Sequence, residues 1–317
     1  MRIEAIESPE SLIEKLTELK SKDDYVFRGI ANAKWKLEAK AFRENGKALD
    51  NSYPLASTEL ESWKKEALEK IRRLYNLPIY MLVNIINLCV FTMKYHYHLF
   101  KNVRDRIKEN IKYISSEDDL IIRRYSNENP ENIFIDRKYF DDTLLGPLLE
   151  RIIPTVSLDG TVLKPSYPCE DLLNVMDASR PQHYDIPTSV LDWTYNPDVA
   201  IYFALDSEYA DKNGDIFSIY AYKQIDHSEN APIKLIERHE AIENLRAERQ
   251  EGLFSSLTMP CRFYIEESFF PSVETYDSQF YKAFELIKFN ISRKACSNSL
   301  EKTLIEKNIT KEFLFPD

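Results

Sequence analysis

Residues 25–29, Tyr25-Val26-Phe27-Arg28-Gly29, set three β-formers before a cation and a glycine. They read as a short buried strand that delivers a charged side chain to its end. Working outward, Pro9-Glu10 with Leu12, Ile13, Leu16 and Leu19 has helical spacing, Ser8 is placed to cap that helix, and the helix is expected to end near Lys22. Trp35-Lys36-Leu37 alternates like a second strand. From Ser57 the period turns helical through Leu60, Trp63, Ala67, Leu68, Ile71 and Leu74, and a second helical stretch runs over residues 78–113. A short helix is expected over 140–151, an exposed loop or hairpin over 154–168, and helices over 170–179 and 197–205. Residues 215–222, 253–254, 262–265 and 284–291 are strand candidates, and Ser292 is placed to cap a last helix. Strands therefore come from both chain ends with helices between them. The pattern predicts an α+β fold whose mixed or mainly antiparallel sheet is built from residues 1–44 and 169–317, with 45–168 as a large helical insertion.

Length and composition narrow the function. A chain of 317 residues exceeds the usual single domain, so one large domain carrying an insertion, or two domains, is expected. With 44% apolar and 30% charged residues it has the balance of a globular protein. Only 6 glycines are present, against a glycine-rich phosphate loop, and a Gly-x-Gly-x-x-Gly fingerprint is absent. The net charge of −10 argues against a broad phosphate-tracking surface but allows a local basic cleft. Cys89, Cys169, Cys261 and Cys296 lie far apart, which signals neither a zinc finger nor a disulfide framework and fits a reducing cytoplasm. The first residues lack a basic segment leading into an apolar one, and the most apolar run, 77–91, is short and interrupted by Asn84 and Asn87. The expectation is a cytoplasmic protein with no membrane partner.

The densest polar stretch is residues 180–194, Arg180-Pro181-Gln182-His183-Tyr184-Asp185-Ile186-Pro187-Thr188-Ser189-Val190-Leu191-Asp192-Trp193-Thr194. It reads as a loop held between apolar helices, a frequent place for a site. Arg28 has two readings, an anion clamp or a structural ion-pair partner of Asp192. Gln182 and His183 suit satisfaction of loop backbone groups, with His183 as general base the competing role. Trp193, Tyr202 and Phe203 are most simply core aromatics. His96 and His98 are two residues apart on a predicted helix, where side chains diverge, so no metal pair is expected.

Phe27-Arg28-Gly29 with Trp35, Leu37 and Arg43, then Gln182-His183-Tyr184, Pro187-Thr188, Leu191-Asp192-Trp193-Thr194, Asn196-Pro197 and 200–204, resembles the FRG domain family. The likeness continues through Arg246, Gln250, Gly252 and Phe254 to the closing Leu314-Phe315-Pro316-Asp317, with the helical middle as the variable part. Asp185 and Ser189 stand where the family pattern carries Gly and Arg, and Ile30 replaces a common Gln. The family is named for a motif and not for a reaction, so the resemblance implies a fold more firmly than an activity.

A second analogy, to the Arg-Ser-Glu class of ADP-ribosyltransferases, supplies roles. There an aromatic-Arg-Gly strand end binds the phosphates of NAD, so Arg28 would clamp a pyrophosphate with its rigid fork of donors. Asp192, Trp193 and Thr194 would offer hydroxyl and stacking contacts, and Tyr184 or Tyr202 would cover the nicotinamide. Glu248 or Gln250 would steady a ribosyl cation. The first expectation is thus an ADP-ribosyltransferase-like or NAD-cleaving enzyme, bacterial or phage-associated, with a nucleotide ligand, a protein or nucleic-acid acceptor and no metal. The alternative is a non-catalytic ligand-sensing or protein-interaction module of a bacterial defence or toxin system.

Overall fold

A computed structural model describes residues 1–22, 24–50, 53–75, 77–108, 136–152, 187–206, 214–228, 231–236, 248–280 and 282–315. The chain forms two compact units, one taking in Met1–Glu38, Val190–Thr258 and Ser272–Asp317, the other Ala39–Ser189 and Met259–Pro271. Strands and helices β1 (Arg2–Ile6), α1 (Pro9–Lys20) and β2 (Tyr25–Ile30) open the first unit. The second unit follows with a 3₁₀ segment (Arg43–Leu49), α2 (Ser57–Leu74), α3 (Ile79–Lys108), a π-helical segment (Tyr139–Leu145) and α4 (Gly146–Ile152). The chain re-enters the first unit with β3 (Val190–Thr194), α5 (Pro197–Leu205), β4 (Ile216–Gln224), β5 (Ile233–Ile236) and β6 (Gly252–Leu257). After α6 (Pro260–Glu267), in the second unit, it closes in the first with α7 (Val273–Phe280), β7 (Phe284–Ser292), α8 (Arg293–Glu306) and α9 (Lys311–Leu314).

The first unit is built on a seven-stranded sheet in the order β1-β7-β4-β2-β3-β6-β5. β1 runs parallel to β7 and the other pairings are antiparallel, so the fold is α+β with a mixed sheet drawn from both chain ends. Alternation explains which face is dry: Phe27, Phe217, Ile219, Ile287 and Phe289 leave one face and pack with Leu12, Leu16, Ala200 and Leu300 of the covering helices. Local signals set the helix ends, since Ser8 accepts the Ser11 amide at the start of α1 and Ser292 that of Ala295 at the start of α8. Gly29 is where α5 crosses β2. A Cβ there would fall 1.9 Å from the Ala200 carbonyl oxygen, so only glycine allows this approach.

In the second unit α2 turns Leu60, Ala67 and Ile71 inward, and α3 buries Leu82, Ile85, Ile86, Cys89 and Met93. Asn84, which interrupts the apolar run, is bonded: its amide donates to the Ile265 carbonyl at 2.9 Å and to Ser268 Oγ at 2.8 Å. None of the described helices is long and apolar enough to cross a membrane.

Three sequence expectations are corrected. Trp35-Lys36-Leu37 is not a strand, because the chain leaves the sheet after Ile30 and turns, with Trp35 N–H donating to the Asn32 carbonyl. Residues 262–265 lie inside helix α6: Pro260 sits in its first turn and Arg262 pairs with Glu266 one turn on, which overrides the β-preference of Phe263 and Tyr264. Asp192-Trp193-Thr194, read as part of a loop, belongs to strand β3, whose alternation satisfies a sheet position. The helix expected over 170–179 and the loop over 154–168 lie outside the described residues.

Candidate functional site

The site residues begin where two strands part. β2 pairs six residues with β4 but only Phe27 with β3, opposite Thr194. Beyond that bridge Arg28 reaches across: its Nη1 donates to the main-chain oxygen of Asp192 at 2.5 Å and stands 3.6 Å from Asp192 Oδ2. A guanidinium thus takes a carbonyl that a neighbouring strand would otherwise pair. The Arg28 side chain is 17% exposed and that of Asp192 48%, so the carboxylate keeps water and the pair is a weak ion pair, worth roughly 0–1 kcal/mol. Nε of Arg28 is buried and has no hydrogen-bond partner among the described residues. An unmet buried donor costs about 1–3 kcal/mol, so the parting strands present an unfilled demand for an acceptor.

The remaining motif residues stitch the strand ends together. Thr194 Oγ1 donates to the Gln250 carbonyl at 2.6 Å and accepts the Asn196 amide at 2.9 Å. Asn196 caps α5 by accepting the Asp198 amide and holds Glu251 Oε1 with its own amide at 2.8 Å. Glu251 has φ of 45°, a left-handed turn fixed by its carbonyl accepting from Tyr195 N–H at 3.0 Å. Glu248 opens that turn, its carbonyl accepting the Glu251 amide. Gln250 brings its main chain to Thr194 but turns its side-chain amide to the Leu314 carbonyl at 3.2 Å. Arg249 does likewise, donating to the Phe313 carbonyl at 3.1 Å and lying over the Phe313 ring. Trp193 is 3% exposed, donates Nε1–H to Ser255 Oγ at 2.7 Å and packs against Tyr222, which is a core role. Tyr202 packs edge-on against Phe203 and tilts toward Phe315 of the C-terminal segment. Gln182, His183 and Tyr184 lie outside the described residues.

The structure therefore joins Arg28 to Asp192, and separately Thr194 to the Gln250 main chain. It also reveals a polar row that sequence reading passed over. Arg28, Tyr220 and Lys288 are register partners on β2, β4 and β7. Tyr220 donates to Glu274 at 2.9 Å, and its hydroxyl pKa is raised by burial first and by that carboxylate second. Lys288 lies over the Tyr220 ring, and burial lowers its pKa against the opposing pull of Glu274. The available signal was a lysine inside the apolar strand 284–291, at a position whose neighbours in register are also polar. Among the described residues no group of three His, Cys, Asp or Glu side chains could hold a metal ion. Arg28 is the side chain whose chemistry fits an anionic group.

Comparison with known proteins agrees with the motif geometry. No curated protein and no solved structure matches the chain. A family model described as the FRG domain matches residues 169–213, whose described part comprises β3 and α5, the strand that Arg28 reaches and the helix that Gly29 admits. By that match and those contacts, the chain is an FRG-domain protein.

Proposed function

We propose that the FRG-type unit recognises an anionic nucleotide through Arg28, with NAD as the first ligand to test, and that it acts as a ligand-sensing module. The observation that carries this reading is the buried, unpartnered Nε of Arg28 at the parting of β2 and β3. A phosphate oxygen would meet that donor, and a guanidinium keeps its charge while offering further N–H groups to the same ligand. The sensing reading is favoured over turnover because most of the residues expected to do chemistry are engaged elsewhere. Gln250 is bonded to Leu314, Thr194 joins Gln250 to Asn196, and Trp193 is bonded to Ser255.

One observation favours the enzymatic reading, ADP-ribose transfer or NAD cleavage: the half-exposed Asp192 carboxylate stands beside Arg28, where it would steady a ribosyl cation. Calorimetric titration of the purified protein with NAD, run beside an assay for nicotinamide release and label transfer, separates the two. Binding without nicotinamide release is the expected result. Release that disappears in Asp192→Asn would replace sensing by catalysis, and absence of binding would remove the nucleotide reading.

A further inference from the structure

The segment after β2 is pinned over the face that carries Arg28. Register partners on adjacent strands project to one side of a sheet, so Arg28, Tyr220 and Lys288 share a face. Lys288 Nζ donates to the Ala33 carbonyl at 2.7 Å. Tyr220 donates to Glu274, and the same carboxylate accepts the Leu37 amide with both oxygens at 3.0 Å. The Val273 amide donates to the Leu37 carbonyl and the Ala33 amide to that of Ile216, each at 2.9 Å. Residues 33–37 are thus fixed at both ends by side chains and main chain of this unit. At the middle, Trp35 remains 44% exposed, while Leu37 is buried.

An indole held out from a main chain tied at both ends is a poor use of a large apolar ring unless something covers it. It is a good stacking surface, because the ordering that binding would otherwise require is already in place. The geometry points to Trp35 as the platform on which the base of a nucleotide stacks while Arg28 holds its phosphate, an inference that rests on the anion-site reading above. Adjacent strands lie roughly 5 Å apart, so the row from Arg28 to Lys288 spans about 10 Å, a separation that a nucleoside diphosphate can bridge. Lys288 and Glu274 are positioning residues in this arrangement. They set where the Trp35 main chain lies and are themselves committed to Ala33 and Leu37.

The test compares a ligand with a base to one without. The full chain and its Trp35→Ala and Arg28→Lys variants are titrated with ADP and with inorganic pyrophosphate. Trp35→Phe is added to retain an aromatic face while removing the indole signal. Trp35→Ala is expected to weaken ADP about tenfold and leave pyrophosphate unchanged. Trp35→Phe should keep most of the ADP affinity and lose the ADP-induced change in tryptophan fluorescence. Arg28→Lys should weaken both ligands. If Arg28→Lys weakens both but Trp35→Ala leaves the ratio of ADP to pyrophosphate affinity unchanged, the stacking role is wrong and the anion site stands. If neither ligand binds the unaltered protein, the anion site falls and the stacking role with it.

Discussion

Arg28 and Arg293 lie in the same unit, both partly withdrawn from water and both donating to main-chain oxygens, yet they are used differently. Arg293 Nη2 donates to the Ala31 carbonyl at 2.8 Å and the Ala204 carbonyl at 3.1 Å, and its Nε donates to the Gly214 carbonyl at 3.3 Å. Its guanidinium also lies over the Phe217 ring, and burial lowers its pKa. It fastens the chain after β2, the end of α5 and the approach to β4 in one grip. Arg28 takes a single carbonyl, that of Asp192, and leaves a buried Nε without a partner among the described residues. A charged group beside a sheet is thus no mark of a site by itself. What distinguishes the two is whether the hydrogen-bonding capacity of the guanidinium is already filled.

That contrast can be broken by mutation, and the largest effect is expected where neither arginine is touched. Gly29→Ala would drive a methyl group into the Ala200 carbonyl, separating α5 from β2 beneath both arginines. We expect a loss of at least about 3 kcal/mol of stability by denaturant unfolding. A stability change near zero would mean that the helix is free to retreat. Next, Arg293→Met keeps an apolar stem but strands three carbonyls, so roughly 2–4 kcal/mol should be lost with the ligand affinity of the folded fraction unchanged.

Arg28→Lys inverts that pattern: stability should change by no more than about 1 kcal/mol, while NAD affinity falls about tenfold because the planar fork is gone. Equal losses of stability from Arg28→Lys and Arg293→Met, with unaltered binding, would make Arg28 a second staple. Asp192→Asn should cost under about 1 kcal/mol, since its carboxylate is half exposed and 3.6 Å from the cation. Anion affinity should rise slightly as a competing charge is removed.

The smallest effect concerns the second unit and serves as a control that the site does not govern. His98 Nε2 donates to the Leu49 carbonyl at 2.8 Å, and burial lowers the imidazole pKa below its ordinary 6.5. The unfolded chain therefore takes up a proton that the folded one resists. Stability is complete above about pH 6.5 and falls as the pH drops from there toward the lowered folded value. His98→Gln should flatten that slope in unfolding curves and leave nucleotide binding unchanged.

Much of the fold was legible because its signals are local. Helix α5 begins where Asn196-Pro197 places a cap and a pre-set φ, and α2 runs over the stretch whose apolar residues recur at helical spacing. The misread stretches are those where tertiary contacts overrule preference. Trp35-Lys36-Leu37 alternates like a strand, but Glu274, far along the chain, claims the Leu37 amide. Phe263-Tyr264 has strand composition inside a helix started by Pro260. The polar cluster over 180–194 was legible as dense in functional groups, but its reading as a loop overlooked that Val190–Thr194 alternates to fill a strand.

The sequence by itself determined the α+β class, the order of helices and strands from both chain ends, the caps at Ser8, Asn196 and Ser292, and the link between the Phe-Arg-Gly and Leu-Asp-Trp-Thr segments. Each depends on periodicity, propensity or a motif contained within a few residues. Only the tertiary structure decided that Arg28 answers a carbonyl of β3, that Gln250 turns its amide to Leu314, that Gly29 is demanded by the backbone of α5, and that Trp35 is pinned over the face shared by Arg28, Tyr220 and Lys288. A hydrogen-bond donor is filled or left open by groups that the fold brings from elsewhere in the chain, and that bookkeeping has no counterpart in local sequence.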